Sequence, residues 1–320
     1  MTNQSLPTPE GHSIADVERD TGLSKDTLRV WERRYGFPTP TRDAQGERRY
    51  DDDQLVRLRH IRRLIDAGHR PGQVVALPLE RLLELDTSPP ARRIQTPDAG
   101  ADTAAEREHW LRLLRAQDAP ALRARLQLML AERGLGRTIV EGIAPMNVQV
   151  GQAWLDGALA VYEEHLYTEI VQATLRQSLA LVAGARPAIP PRVLLTTLPG
   201  EVHALGLLMA ECFLVLERCH TIPLGTQTPL GDVVKATEAG SADIVALSFT
   251  AGQNPREVKT ALQQLRERLP AHVEIWAGGQ CPALYKPLPR GEPRVFYPMG
   301  RLQDVAVGVA RWRAEAAQRA

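Results

Sequence analysis

The sequence predicts three domains in a row: an all-α winged helix-turn-helix, a four-helix bundle and an α/β doubly wound domain. Three observations carry this. Between Ser13 and Tyr50 lie two capped helical segments, then a turn with adjacent arginines. From about residue 107 to 183 the periodicity is helical, with few turn signals. After Arg192 short apolar runs alternate with longer helical segments, the pattern of buried parallel strands joined by helices. The 320 residues suit two or three cores, and 43% apolar with 24% charged residues is ordinary globular composition.

The net charge of +1 announces no nucleic-acid partner, so the placement of the basic residues matters. Cys212, Cys219 and Cys281 have no metal-ligand spacing, and no signal peptide is evident. A reducing cytoplasm is the expected location. No apolar run approaches the roughly 20 residues that span a bilayer, so no membrane partner is expected.

The first domain is expected over residues 1–85. Ser13 is a candidate cap for a short helix, Gly22 stops it, and Ser24 caps a second helix, Lys25 to Tyr35. Lys25, Thr27, Arg29, Arg33 and Arg34 lie on that helix and suit a major groove. The turn ending in Arg48, Arg49 and Tyr50 suits a wing on the sugar-phosphate backbone, and Arg57, Arg59, Arg62 and Arg63 continue the basic character. A solvated, charged helical hairpin explains any single arginine equally well. The whole string, with Leu28-Arg29-Val30-Trp31-Glu32-Arg33-Arg34-Tyr35-Gly36 and then Arg48-Arg49-Tyr50, resembles the MerR family of winged-helix regulators over roughly residues 12 to 80. The resemblance implies double-stranded operator DNA as partner, bound by at least a dimer, with Tyr35 among the contacts. The chain after Gly68 is too broken by Pro and Gly for the long dimerisation helix usual in that family.

A low-hydrophobicity stretch with Pro89, Pro90, Pro97 and Gly100 reads as a linker, residues 86–106. The bundle is expected over 107–186. Pro187, Pro190 and Pro191 mark the next boundary, and the α/β domain is expected over 187–320.

In that last domain the apolar runs are Val193–Leu195, Thr221–Leu224, Ile244–Leu247 and Val273–Trp276. Open sheets of this kind bind ligands beyond the carboxyl ends of their strands. The loop after the first run reads Pro199-Gly200-Glu201-Val202-His203-Ala204-Leu205-Gly206. A neutral imidazole there can ligate a metal, and a carboxylate two residues away can orient its other ring nitrogen. Glu-x-His-x-x-Gly alone equally describes an ordinary hydrogen-bonded loop histidine. Between Gly206 and Ser248 lie 41 residues (207–247), Thr250 follows closely, and between Thr250 and Gly278-Gly279 lie 27 (251–277). This set resembles the Rossmann-like cobalamin-binding domain of methionine synthase and the mutases. The resemblance implies His203 as lower cobalt ligand, supported by Glu201 and flanked by Val202. The cofactor's nucleotide tail would run beside Ser248, Thr250, Gly278 and Gly279, with Gly225 and Thr226 as weaker candidates, and Gly206 would let the backbone approach the bulky ligand closely. Glu201 stands where that motif usually has Asp.

In the bundle, nine residues (155–163) separate Trp154 from Glu164-His165. A core tryptophan and a surface Glu-His pair account for these residues taken singly. In this three-domain order, Trp-x9-Glu-His resembles the CarH/LitR photoreceptors. That implies adenosylcobalamin with its adenosyl group near Trp154, Glu164 and His165. It also implies a dark tetramer on its operator that dissociates when light breaks the cobalt–carbon bond. Those proteins typically carry His after the signature Trp, where this chain has Leu155. A regulator sensing cobalamin without bis-His photochemistry, or using another chromophore, is therefore the alternative. A cobalamin-dependent enzyme module is a weaker one, because no substrate-binding barrel is present.

Overall fold

The computed structural model describes residues 11–66, 69–85, 101–185, 187–286 and 295–319. They form two compact units: the described residues of Met1–Pro90 with Gln152–Val161, and those of Ala91–Gly151 with Tyr162–Ala320.

In the first unit, β1 (His12–Ser13) leads into α1 (Ile14–Thr21) and α2 (Lys25–Tyr35). Ser13 and Asp16 form a reciprocal capping box, which satisfies amide groups that the first turn leaves open. Ser24 Oγ accepts from Thr27 N at 3.1 Å and starts α2. The wing is β2 (Thr41–Arg42) against β3 (Arg48–Tyr50), in an antiparallel sheet ordered β1-β3-β2. Helices α3 (Asp52–Asp66), α4 (Pro71–Val74) and α5 (Leu79–Leu85) close the unit over a core of Val17, Leu28, Trp31, Tyr50, Leu58 and Leu82.

The second unit opens with α6 (Ala101–Arg115), α7 (Ala119–Arg137), α8 (Ala144–Leu155) as far as Gly151 and α9 (Val161–Ala183) from Tyr162, with a π-helical stretch Thr138–Ile143 before α8. Trp110 of α6 meets Tyr167 of α9 edge-on at 6.2 Å, and Arg125 of α7 holds Glu106 of α6 at 2.7 and 2.8 Å. Tyr167 Oη also donates to Asn147 of α8. These ties define the expected four-helix bundle. Helix α6 begins at Ala101, so the last six residues of the expected linker are helical; residues 86–100 lie outside the described residues.

The sheet of the second unit comprises β4 (Ile189–Thr196), β5 (Cys219–Gly225), β6 (Ile244–Phe249), β7 (Glu274–Gly279) and β8 (Tyr297–Met299), all parallel and ordered β5-β4-β6-β7-β8. Each of these apolar runs lies in a strand or enters one; β8, a short edge strand entered by Val295 and Phe296, is not among the strands expected from the sequence. Val193 and Leu195 pack on the face covered by α10 (Leu205–Leu216) and α13 (Asp304–Arg319). Leu194, Val245 and Leu247 face α11 (Leu230–Ala239) and α12 (Pro255–Arg268). The period-2 alternation thus buries both faces, the doubly wound arrangement. β5 lies on one side of β4 and β6 on the other, which opens a crevice at the carboxyl ends of β4 and β6.

Candidate functional site

The loop after β4 carries Glu201 and His203 into that crevice. Thr197, fully buried, anchors it: Thr197 Oγ1 donates to the Glu201 carbonyl at 2.6 Å and accepts from Gln227 N at 2.9 Å. Gln253 Nε2, from the loop after β6, donates to the Gly200 carbonyl at 2.8 Å. Neither Thr197 nor Gln253 stands out in the sequence: the side chain of each bonds only to backbone groups, Thr197 to residues 4 and 30 further on and Gln253 to one 53 back, and no residue pattern signals such a bond.

Glu201 is only 1% exposed, and its carboxylate is saturated. Oε1 accepts from His203 N at 3.0 Å and pairs with His203 Nδ1 at 2.6 Å; Oε2 accepts from Thr250 N at 2.8 Å and Thr250 Oγ1 at 2.6 Å. Burial pushes this carboxyl up, but the hydrogen bonds from His203 and Thr250 outweigh it and hold Glu201 below the usual carboxylate range. In return the Glu201 hydrogen bond holds the His203 imidazole above its usual value, against burial; Glu164 pulls in the same direction. An ionised Glu201 assigns the proton to Nδ1, so Nε2 presents its lone pair. The imidazole side chain is 68% exposed, so this lone pair is accessible.

Around His203 the neighbours are small or apolar. Val202 is 59% exposed beside it, a surface suited to a large apolar ring. Ser248 pairs with Gly278, and Phe249 with Gly279, across β6 and β7. A Cβ on Gly206 would lie 2.9 Å from Ser248 Oγ, so Gly206 is what lets α10 start hard against that hydroxyl. The structure thus brings Glu201, Val202, His203, Gly206, Ser248, Thr250, Gly278 and Gly279 to one rim of the sheet. Gly225 ends β5 and Thr226 follows it, on the far side of β4 from β6. The donor set fits one axial imidazole on a metal carried by a bulky prosthetic group: one lone pair, its other ring nitrogen tied to a buried carboxylate, and glycines rather than side chains along the crevice.

The bundle signature divides. Glu164 and His165 belong to the second unit: Glu164 accepts from Thr168 Oγ1 at 2.7 Å, and His165, 71% exposed, lies 3.7 Å from it. Trp154 belongs to the first unit, where Arg59 Nη1 donates to its carbonyl at 2.6 Å and the guanidinium lies 4.7 Å from its ring centroid.

In the helix-turn-helix unit, Arg29, Arg33 and Arg34 are exposed along one face of α2, with Val30 among them at 41% exposure. Val30 is absent from the sequence-based set because a lone valine carries no signal there. Lys25 and Thr27 are half-buried, Lys25 lying 3.7 Å from Glu18. Tyr35 is half-buried, with Arg34 5.3 Å from its ring. The wing arginines are tied internally, Arg48 to Glu32 at 2.8 Å and Arg49 to Asp43 at 2.9 Å. Tyr50 corrects the sequence reading. It is fully buried in the core, its Oη without a hydrogen-bond partner among the described residues, and it presents no surface to DNA. Tyr50→Phe is therefore expected to leave DNA binding unchanged and to be neutral or stabilising by up to ~1 kcal/mol, because it removes a desolvated hydroxyl. A thermal melt beside a DNA titration checks this, and a tenfold loss of DNA affinity would contradict it.

A helix-turn-helix unit joined to a doubly wound domain with a carboxylate-oriented histidine at its ligand crevice defines a DNA-binding regulator that carries a corrinoid module. Family descriptions match accordingly: MerR HTH family regulatory protein over residues 12–77, and two B12 binding domains over 106–177 and 191–300. The chain is 32% identical to the HTH-type transcriptional repressor CarH of Myxococcus xanthus over 258 residues, 81% of this chain and 85% of that protein. It is 30% identical to CarA of the same organism over 269 residues, 82% of this chain and 85% of that protein. With the regulator MlrA of Salmonella typhimurium the likeness, 36% over 66 residues, covers 21% of this chain and 27% of that protein. The chain belongs to the CarH family of MerR-type, B12-binding transcriptional regulators. It is a regulator rather than an enzyme. No described helix is long and apolar enough to cross a membrane.

Proposed function

We propose that this chain is a light-responsive repressor that binds operator DNA as a dark, adenosylcobalamin-loaded oligomer and lets go on illumination. The observation that carries the reading is the His203–Glu201–Thr250 chain, which presents one imidazole lone pair from a buried, saturated carboxylate. When bound, adenosylcobalamin supplies a cobalt–carbon bond that light breaks. His203 Nε2 would ligate the cobalt, Glu201 would fix its tautomer, and Ser248, Thr250, Gly278 and Gly279 would hold the nucleotide tail, Gly225 and Thr226 more weakly. Trp154, Glu164 and His165 serve the upper side. Arg29, Arg33 and Arg34 supply phosphate and base contacts, with Lys25, Thr27, Tyr35, Arg48 and Arg49 at the margins; Val30 offers methyl groups to a thymine. Dimer and tetramer are the assembly states that the ligand biases, by differential affinity for the two. The test is operator binding and hydrodynamic size of one sample with adenosylcobalamin, in the dark and after illumination. Identical behaviour in both would overturn the light reading.

Leu155 favours a second reading of the upper side. A hydrocarbon next to Trp154 has no lone pair, so the illuminated protein is read as lacking a stable bis-His adduct. A bis-His spectrum after illumination, lost on replacing His165, would overturn that.

Glu201→Gln is expected to weaken cobalamin binding by about 10- to 100-fold. The amide group turns N–H donors toward either Thr250 or His203, both of which already donate, so one side of the clamp must open. A dark absorbance titration reads the change.

A further inference from the structure

Gly278 and Gly279 leave the rim of the crevice open but weakly restrained. Gly279 cannot carry a side chain: at φ +110°, a Cβ there would strike the Phe249 carbonyl oxygen at 2.1 Å. Glycine is also the residue whose backbone has most freedom to lose, so a rim with two in a row needs a restraint from outside. On the β6 side the ladder supplies it, and Gln280 N donates to the Phe249 carbonyl at 2.9 Å. On the other side the neighbour is β8, three residues long, and Pro298 in its middle has no N–H to give. A Cβ on Gly278 would lie 3.2 Å from the Met299 carbonyl oxygen, so β7 and β8 close tightly at this point. Tyr285, the last residue of a short helical turn Pro282–Tyr285, bridges the joint. Its Oη donates to the Gly279 carbonyl at 2.5 Å and lies 3.2 Å from the Met299 carbonyl oxygen. Its ring packs against the core that contains Phe249 and Leu284.

We propose that Tyr285 is a positioning residue for the cofactor's nucleotide tail: its one phenolic proton holds the Gly279 and Met299 carbonyls together, and with them the wall of the tail cleft. The inference rests on the reading above that the tail runs beside Gly278 and Gly279. A wall restrained before binding has less freedom to lose on binding. Without the hydroxyl, the ends of β7 and β8 sample arrangements that do not admit the tail, and apparent affinity falls with the competent fraction. The corrin ring and its cobalt, served by His203, do not depend on this wall. Tyr285 therefore favours a complete cobalamin over a corrinoid that lacks the nucleotide.

The test uses the full chain and Tyr285→Phe, which keeps the packed ring and removes only the hydroxyl. The probes are adenosylcobalamin and adenosylcobinamide, which has the same corrin, cobalt and adenosyl group but no nucleotide tail. Titrated in the dark, the variant is expected to bind adenosylcobalamin about tenfold more weakly than wild type, and adenosylcobinamide within about twofold of it. Without cofactor, the Gln280 amide of the variant should exchange its hydrogen about tenfold faster than in wild type. Its melting temperature should stay within about 5 °C of wild type, because water reaches the exposed Gly279 carbonyl in place of the phenol. Equal losses for both probes, no loss for either, or unchanged exchange at Gln280 would each overturn the proposal. So would a larger fall in melting temperature, which would make the hydroxyl a strut of the fold. Wild type that binds the two probes equally would instead sink the tail reading, and this inference with it, whatever Tyr285→Phe does.

Discussion

Replacing His203 by alanine is expected to lower cobalamin affinity by at least about 100-fold, beyond the 10–100-fold typical of a lost supporting group. The imidazole is the nitrogen donor on this rim; Val202 beside it is hydrocarbon, and Glu201 has no lone pair to spare, since both of its oxygens are occupied. The fold should tolerate the change. His203 contributes an exposed side chain, and its backbone N–H keeps its bond to Glu201. Far-ultraviolet circular dichroism should therefore match wild type while the spectrum of bound cobalamin is lost, and free imidazole should restore part of it. Wild-type affinity in a folded His203→Ala protein would remove the axial assignment.

Gly279→Ala is expected to be among the most damaging single-methyl additions in the chain. Its φ is +110°, which L side chains rarely adopt, and a Cβ would lie 2.1 Å from the Phe249 carbonyl oxygen and 3.0 Å from Phe249 N. These are backbone atoms of the neighbouring strand β6, so no rotamer change relieves the clash. A cost of roughly 3–5 kcal/mol follows from strain and displacement together, a large share of the ~5–15 kcal/mol that holds a domain folded. The melting temperature should fall by about 10 °C or more. Gly225 supplies the contrast. It also has a positive φ, +80°, but a Cβ there meets nothing within 4 Å. Gly225→Ala should cost only about 1 kcal/mol. If the two variants melt alike, the close packing of β6 on β7 at Gly279 is not what demands glycine there.

What the sequence discloses and what it hides follow a physical division. The strands are legible because burial of both sheet faces forces continuous apolar runs, and the Glu201–His203 pair because it is a local, two-residue arrangement. The helix-turn-helix is legible through its caps, Ser13 and Ser24. Tyr50 misleads: after two arginines it reads as a grip on DNA, yet its side chain turns into the core of Leu28 and Trp31. The contact that holds Trp154 is hidden for another reason. Its partner Arg59 lies 95 residues away, and no periodicity encodes that distance. Thr197 and Gln253 escape notice likewise, as side chains whose work is to bond backbone from another loop. Helix α6 extends into a stretch read as linker because Ala101, Ala104 and Ala105 are strong helix formers amid otherwise polar neighbours.

The saturation of Glu201 also governs how this site can drift. One of the two bonds at Oε2 comes from the backbone of Thr250 and survives most replacements at 250; the other needs a hydroxyl. Change at 250 is therefore graded, and Ser or Val there would retune the imidazole without dismantling it. At 201 the same four donors converge on one side chain, and no other residue except a carboxylate accepts from all of them. A lineage leaving cobalamin behind would pass through position 250 by small steps and through 201 in a single one.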